Sequence, residues 1–188
     1  MKISKLEIDD VMVLEPKYFE DYRGYYSEVY SARTLRDLGI HDVFVQDNHS
    51  FTLKKGTIRG IHFQNDPTSQ IKLVRCTRGR VLDFAVDLRK NSPTYKKWVS
   101  VELSETNHKQ IWIPHGFGHA FITLEDNCEV LYKVTEFYSP ADDRAIAWND
   151  PEINLPWPIK DPIVSIKDIN APTLEKSDVN FIYKGSKK

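Results

Sequence analysis

From residue 43 to residue 138 the chain is a succession of short β-branched and aromatic runs, cut at close intervals by Gly, Pro, Asn and Asp. Segments 43–48, 56–63, 72–78, 80–88, 98–103, 110–113, 119–124 and 129–138 read as consecutive strands, with Arg78-Gly79 as a tight reversal. So many short strands with so little helix can bury their apolar faces only as a sandwich or a barrel. Upstream, 11–15 and 25–30 also read as strands, separated by the turn-like Asp21-Tyr22-Arg23-Gly24. Ser31 to Leu38 is the best helix candidate, with Ser31 as N-cap and Gly39 as its stop, and it should be peripheral. Beyond Tyr138 six prolines (140, 151, 156, 158, 162, 172) remove ladder donors, so this part should wrap the barrel as loops and short strands.

At 188 residues the chain is long enough for one domain, expected over 1–180, with a basic tail at 181–188 expected to be disordered. Lys plus Arg number 26 against 27 Asp plus Glu, and they are dispersed, which argues against nucleic-acid or lipid partners. Cys76 and Cys128 lie in separate apolar runs and read as reduced core residues of a cytoplasmic protein. Neither a signal-peptide core nor a membrane-length apolar run is expected.

Chemistry concentrates at Arg59-Gly60-Ile61-His62-Phe63-Gln64. As a regular strand this places Gly60, His62 and Gln64 on one face and Arg59, Ile61 and Phe63 on the other. Such a histidine, taken alone, is more often a satisfied core residue than a catalytic one. Lys72 shares a face with Val74 and Cys76, so an ammonium projects from an apolar surface, either snorkelling to the rim or held for function. Tyr132 and Tyr138 have the same parity on the 129–138 strand, as either core aromatics or pocket phenols. His119 shares its side with Phe121 and Thr123; His108 and His115 sit in turn-like segments and read as solvated, while His41 and His49 carry no signal. The local pattern His62-Phe63-Gln64 lacks the second imidazole of a His-x-His metal pair, and Gln70 stands where an acid would be needed, so no metal site is expected.

A series of motifs in fixed order then identifies a family. They are Asp21-x-Arg23-Gly24 with Glu28, Gln46-Asp47-Asn48 with Ser50, Gly56-x-x-Arg59-Gly60-x-His62-x-Gln64 and Gln70-x-Lys72-Leu73-Val74. Next come Arg78-Gly79-x-Val81-x-Asp83-x-Ala85-Val86-Asp87-Leu88-Arg89, Ser92-Pro93-x-Tyr95 and Ile113-Pro114-x-Gly116-Phe117-x-His119. The series closes with Leu131-Tyr132-Lys133, Trp148-Asn149-Asp150-Pro151 and Lys167-Asp168. From about residue 10 to 175 the chain strongly resembles the dTDP-4-dehydrorhamnose 3,5-epimerases. That resemblance implies an all-β cupin-type jelly-roll sandwich with short peripheral helices. It also implies cofactor-independent epimerisation at C3 and C5 of a nucleotide-linked 4-keto-6-deoxy sugar, in dTDP-rhamnose supply for cell-surface polysaccharide. Relatives acting at one carbon only, or on other nucleotide-linked hexoses and heptoses, are the alternative; a sugar-nucleotide-binding module without chemistry is a further one, and it should lack one of the reacting groups.

By the same resemblance His62 is the base, Asp168 its partner, Lys72 faces the developing oxyanion and Tyr132 is the acid. Tyr138 lines the pocket, and Arg59 and His119 lie near the diphosphate or sugar. Arg23, Tyr26, Glu28, Gln46 and Asn48 fall where the family holds the nucleotide, often from a neighbouring subunit, which implies a homodimer with exchanged N-terminal strands. Departures from the family pattern are Tyr26 for Phe, His49 within the nucleotide segment, Gly118-His119-Ala120, and Asp142-Asp143 where Glu is usual.

Overall fold

A computed structural model describes residues 1–185. In chain order the strands are β1 (Lys2–Lys5), β2 (Met12–Glu15), β3 (Tyr18–Asp21), β4 (Gly24–Ser27), β5 (Gln46–Thr52), β6 (Thr57–Gln64) and β7 (Lys72–Arg78). They continue with β8 (Arg80–Asp87), β9 (Trp98–Ser104), β10 (Gln110–Ile113), β11 (Phe117–Thr123), β12 (Cys128–Val134), β13 (Asp143–Ala145) and β14 (Ile163–Val164). Helix α1 spans Ala32–Asp37, and α2 is the single turn Ile166–Ile169. One sheet runs β1-β2-β10-β7-β12-β5 and the other β13-β6-β11-β8-β9, with β14 parallel to β6 along the same edge that β13 occupies; β3 and β4 form a separate hairpin. Stacked face to face, the two large sheets make the jelly-roll sandwich expected of the sequence.

Alternation along β8 shows how the layers are filled. Val81 and Ala85 enter the core between the sheets, with Val74, Val99, Ile111, Phe117, Phe121 and Val130. Phe84 and Val86, of opposite parity, belong to a second cluster with Ile61, Phe63, Ile122, Ile153, Leu174 and Phe181. The proline-rich segment supplies Ile146, Ile153, Leu155, Leu174, Val179 and Phe181 to that second cluster, so it wraps the outside of the β6-β11-β8 sheet rather than extending it. Helix α1 covers the other sheet through Leu35, packed with Leu14 and Leu73. Its N-cap is as read: the Ser31 side chain accepts from the Thr34 amide.

Among the boundaries that differ from the sequence reading, β4 ends at Ser27 rather than residue 30 and β11 begins at Phe117 rather than residue 119, and three others change more. The 43–48 strand begins at Gln46 and runs to Thr52, because β12 pairs only from Val134↔Gln46 to Cys128↔Thr52 and leaves Val43 and Val45 exposed. The 129–138 strand ends at Val134, so Tyr138 sits in the following loop and its parity with Tyr132 means nothing. At the C-terminal end Phe181 is buried, Ile182 bridges to Lys90, and the Tyr183 amide donates to the Lys90 carbonyl. The part of the expected tail at 186–188 lies outside the described residues.

Candidate active site

A cleft of about 270 Å³ opens at one end of the sandwich, lined by Arg59, His62, Gln64, Lys72, His119, Phe121, Tyr132, Tyr138, Asp143 and Lys167 among others. Strands β6 and β11 build one wall. Their register steps from His119↔His62 to Phe121↔Arg59, two residues on β11 against three on β6, so β6 carries a one-residue bulge. The bulge resets the alternation. Arg59 and His62 therefore face the same cleft, where a regular strand would have placed them on opposite sides. Gly60 makes this possible: it has φ +134°, and a Cβ there would lie 2.4 Å from that of Ala120.

Asp168 reaches this wall from α2, 106 residues along the chain, and its Oδ1 stands 2.5 Å from His62 Nε2. Ser165 caps the helix turn by accepting from the Asp168 amide, which fixes the backbone under the carboxylate. The Asp168 side chain is almost wholly buried, whereas that of His62 is about a third exposed and open to the cleft. Burial pushes the Asp168 carboxyl up, but hydrogen bonds from His62, Ser165 and the Gly60 amide outweigh it and hold the group below the usual carboxylate range. As an anion Asp168 only accepts, so Nε2 carries the imidazole proton and Nδ1 is left as the basic nitrogen.

From the opposite sheet, Lys72 on β7 projects inward beside Val74, as its parity requires, and is buried. Desolvation drops its ammonium from 10.5 to about 8, opposed by the charges of Asp143 and Asp83. Tyr132 on β12 stands next to it, with the Lys72 Nζ 5.8 Å from the ring centroid. Burial raises the Tyr132 phenol; Arg59 pulls it down and Asp143 pushes it further up. His119, also buried, is held by Asp83 through a 2.9 Å contact from Nε2 to Oδ2. Asp83 itself is fully buried, and desolvation raises its carboxyl against the pull of His119 and Lys72.

Tyr138 arrives from its loop because two side-chain amides pin it. The Gln64 carbonyl accepts from the Ser139 amide, and Gln46 Oε1 accepts from the Tyr138 amide at 3.2 Å. Arg59 is braced toward the rim, donating to Thr52 Oγ1 and to the Phe51 carbonyl. Asn48 accepts from Gln46 and lines a neighbouring groove with Tyr30, His49 and Tyr132. Within one chain the remaining three sequence candidates do not reach the cleft. Arg23 forms an ion pair with Asp21 at 2.6 Å on the β3–β4 hairpin, Tyr26 is exposed beside it, and Glu28 accepts from Thr34. Two histidines read as solvated have partners: His115 Nε2 lies 2.7 Å from Asp66, and His108 stacks on Tyr18.

A dyad, a buried ammonium and a desolvated phenol around one cleft can move a proton and stabilise an oxyanion. The dTDP-4-dehydrorhamnose 3,5-epimerase family model matches residues 5–176. The chain belongs to that family. It is similar to the dTDP-4-dehydrorhamnose 3,5-epimerase of Salmonella typhimurium, at 49% identity over 94% of this chain and 97% of that one. Among solved structures it is similar to the enzyme of that name from Bacillus anthracis with TDP and PPi bound, at 45% identity, covering 92% and 98% of the two chains, with a TM-score of 0.89. It is similar also to the dTDP-6-deoxy-D-glucose-3,5-epimerase of Legionella pneumophila in complex with dTDP-4-keto-L-rhamnose, at 39% identity, 98% and 99% coverage and a TM-score of 0.93. As a member of the dTDP-4-dehydrorhamnose 3,5-epimerase family the chain is an isomerase of the carbohydrate-epimerase type.

Sequence reasoning passed over Asp83, Asp143 and Lys167. Asp83 had a signal: its parity on β8 matches Val81 and Ala85, so a carboxylate was due on an interior face. Asp143 and Lys167 lie in the proline-rich segment, where no strand parity points to them; they entered only as a departure from the family pattern and as the neighbour of Asp168 in a family motif. Among the described residues no three His, Cys, Asp or Glu side chains converge as a metal site, and no helix is long and apolar enough to cross a membrane.

Proposed function

We propose that this cleft inverts both C3 and C5 of a dTDP-linked 4-keto-6-deoxy hexose, the conversion of dTDP-4-dehydro-6-deoxyglucose to dTDP-4-dehydrorhamnose being the type reaction. A ketone at C4 acidifies the hydrogens on both neighbouring carbons, because loss of either leaves an enolate. His62 removes that proton, and Asp168 stabilises the imidazolium so formed. The Lys72 ammonium meets the charge that gathers on the ketone oxygen, in a site dry enough for it to count. Tyr132 returns a proton to the carbon from the other face, and Tyr138 closes the same side. Exchange with solvent then resets the imidazolium and the phenolate, so no redox group or metal enters the proton balance. Arg59, with its planar guanidinium, and His119 bind the diphosphate and sugar.

The observation that carries this reading is the 2.5 Å contact of His62 with a buried carboxylate, in a cleft that also holds a desolvated ammonium and phenol. Arg23, Tyr26, Glu28, Gln46 and Asn48 hold the nucleotide, the first three from a second copy. Supporting this is a β3–β4 hairpin that exposes Phe19, Tyr22, Tyr25 and Tyr26 together, far more aromatic surface than a solvated hairpin needs. A homodimer with exchanged N-terminal strands would cover it. Two buried, unpaired thiols suit a reducing compartment, the cytoplasm, and the product would serve cell-surface polysaccharide.

Incubation with dTDP-4-keto-6-deoxyglucose in deuterated water tests the chemistry by NMR. Label at C3 and C5 is expected; label at one carbon would restrict the enzyme to a single centre, and none with any nucleotide tried would overturn the reading. Light scattering tests the dimer: a monomeric mass would remove the exchanged strands.

A further inference from the structure

Asp143 stands at the cleft rim, away from the dyad, yet one of its oxygens is shared by two cleft residues. Its Oδ2 accepts from Lys167 Nζ at 2.5 Å and from the Tyr138 hydroxyl at 3.3 Å. The pairing closes a ring of contacts. β13 lies on β6 in the register Asp143↔Gln64 and Ala145↔His62, and Lys167 is the residue before Asp168 on α2. His62 on β6 touches Asp168, Asp168 adjoins Lys167, and Lys167 returns through Asp143 to β6. A one-turn helix cannot hold its own geometry, since nucleating a turn costs more than its few hydrogen bonds return. Beside the β14–β6 pairing that precedes the turn, the Lys167–Asp143 contact supplies a side-chain attachment within it, next to the Asp168 carboxylate.

We propose that Asp143 is a positioning residue of the cleft: it ties Lys167, and with it the Asp168 turn, to the β6 wall, orients Tyr138, and sets the field in which the Lys72 ammonium works. This rests on the epimerase reading of the cleft and adds a residue to it. The charged and titratable groups around Lys72 are Asp83 from β8, His119 from β11, Arg59 and His62 from β6, Tyr132 from β12, Tyr138 from the loop after β12, Asp143 from β13 and Lys167 from α2. Of these, Asp143 and Asp83 favour the Lys72 ammonium, whereas Lys167 opposes it. The two members of the rim pair therefore act on Lys72 with opposite signs, and replacing them one at a time separates their charges from their packing.

The test is a lysine titration by NMR on the full chain labelled at the lysine side chains, with Lys72 assigned by its loss in Lys72→Met. In Asp143→Asn the Lys72 titration should move to lower pH, and in Lys167→Met to higher pH, each by roughly half a unit. Asp143→Glu should restore the wild-type value. The alkaline limb of the exchange rate in deuterated water should follow the same two directions. Shifts of the same sign in both variants, or none in either, would overturn the field assigned to Asp143. The tether has its own readout, the downfield proton shared by His62 and Asp168, which should exchange with water faster in both variants; unchanged exchange would remove the tether. A wild-type protein that incorporates no deuterium would defeat the epimerase reading, while the Lys72 titration would still decide the role of Asp143.

Discussion

Replacing Asp168 by Asn keeps the side chain's shape and removes its charge, which makes it the sharpest probe of the dyad. The carboxylate now accepts from three donors: His62 Nε2, the Ser165 hydroxyl and the Gly60 amide. An Asn has one acceptor oxygen and an NH2 that must face one of those donors, so the buried site cannot satisfy all of them. If the amide oxygen keeps His62, the imidazole stays in the right tautomer but its protonated form loses a charge-assisted bond of about 1.5–3 kcal/mol. That alone slows proton abstraction by about 10- to 150-fold. If the NH2 turns to His62, Nε2 must accept, the proton moves to Nδ1, and the basic nitrogen is lost for that population. The combined expectation is a fall of about 100-fold or more in exchange at both carbons, followed by NMR in deuterated water with saturating substrate. The folded fraction, checked by circular dichroism, should not change at neutral pH. Exchange within about threefold of wild type would refute the argument that Asp168 stabilises the imidazolium.

Tyr132→Phe removes the acid but leaves the base, so deuterium should still enter the substrate with retention while epimerised product falls by about 100-fold or more; inverted product at the wild-type rate would transfer the acid role elsewhere. Lys72 has a folded value of about 8 below its ordinary 10.5, so the unfolded chain binds the proton more readily and stability should rise as pH climbs from 8 to 10.5. The gap corresponds to about 3 kcal/mol; urea titrations should show the rise in wild type and its absence in Lys72→Met, which should also lose activity. Gly60→Ala sets a methyl 2.4 Å from the Ala120 Cβ at a φ of +134° and should cost about 3 kcal/mol or more in urea unfolding.

Residues whose role depends on local pattern could be read from the chain. The strands from β6 to β11 were legible because turn residues punctuate short apolar runs, and the inward aim of Lys72 followed from parity alone. Arg59 was assigned to the wrong face because a bulge breaks period two without any sign beyond a glycine, and glycines mark turns as often as bulges. Tyr138 reached the cleft for another reason than the one given, since the strand that was to carry it stops four residues earlier and side-chain amides 74 and 92 positions away do the placing. The His62–Asp168 pair was visible only through family likeness: no periodicity links positions 106 residues apart. The Asp143–Lys167 contact joins two positions of the proline-rich segment that no periodicity connects, although Lys167 stood in a family motif.

Because Asp168 belongs to the late wrap and His62 to the middle of the sandwich, the His62–Asp168 contact is assembled by docking two parts of the chain that are made at different times. A chain cut near residue 160 would retain every strand from β1 to β13, the ammonium and both phenols, and still lack the anion behind its imidazole. With Asp168 as the partner of the proposed base, turnover would report on whether the wrap that carries α2 has seated, which would turn it from packing material into the final component of the machine.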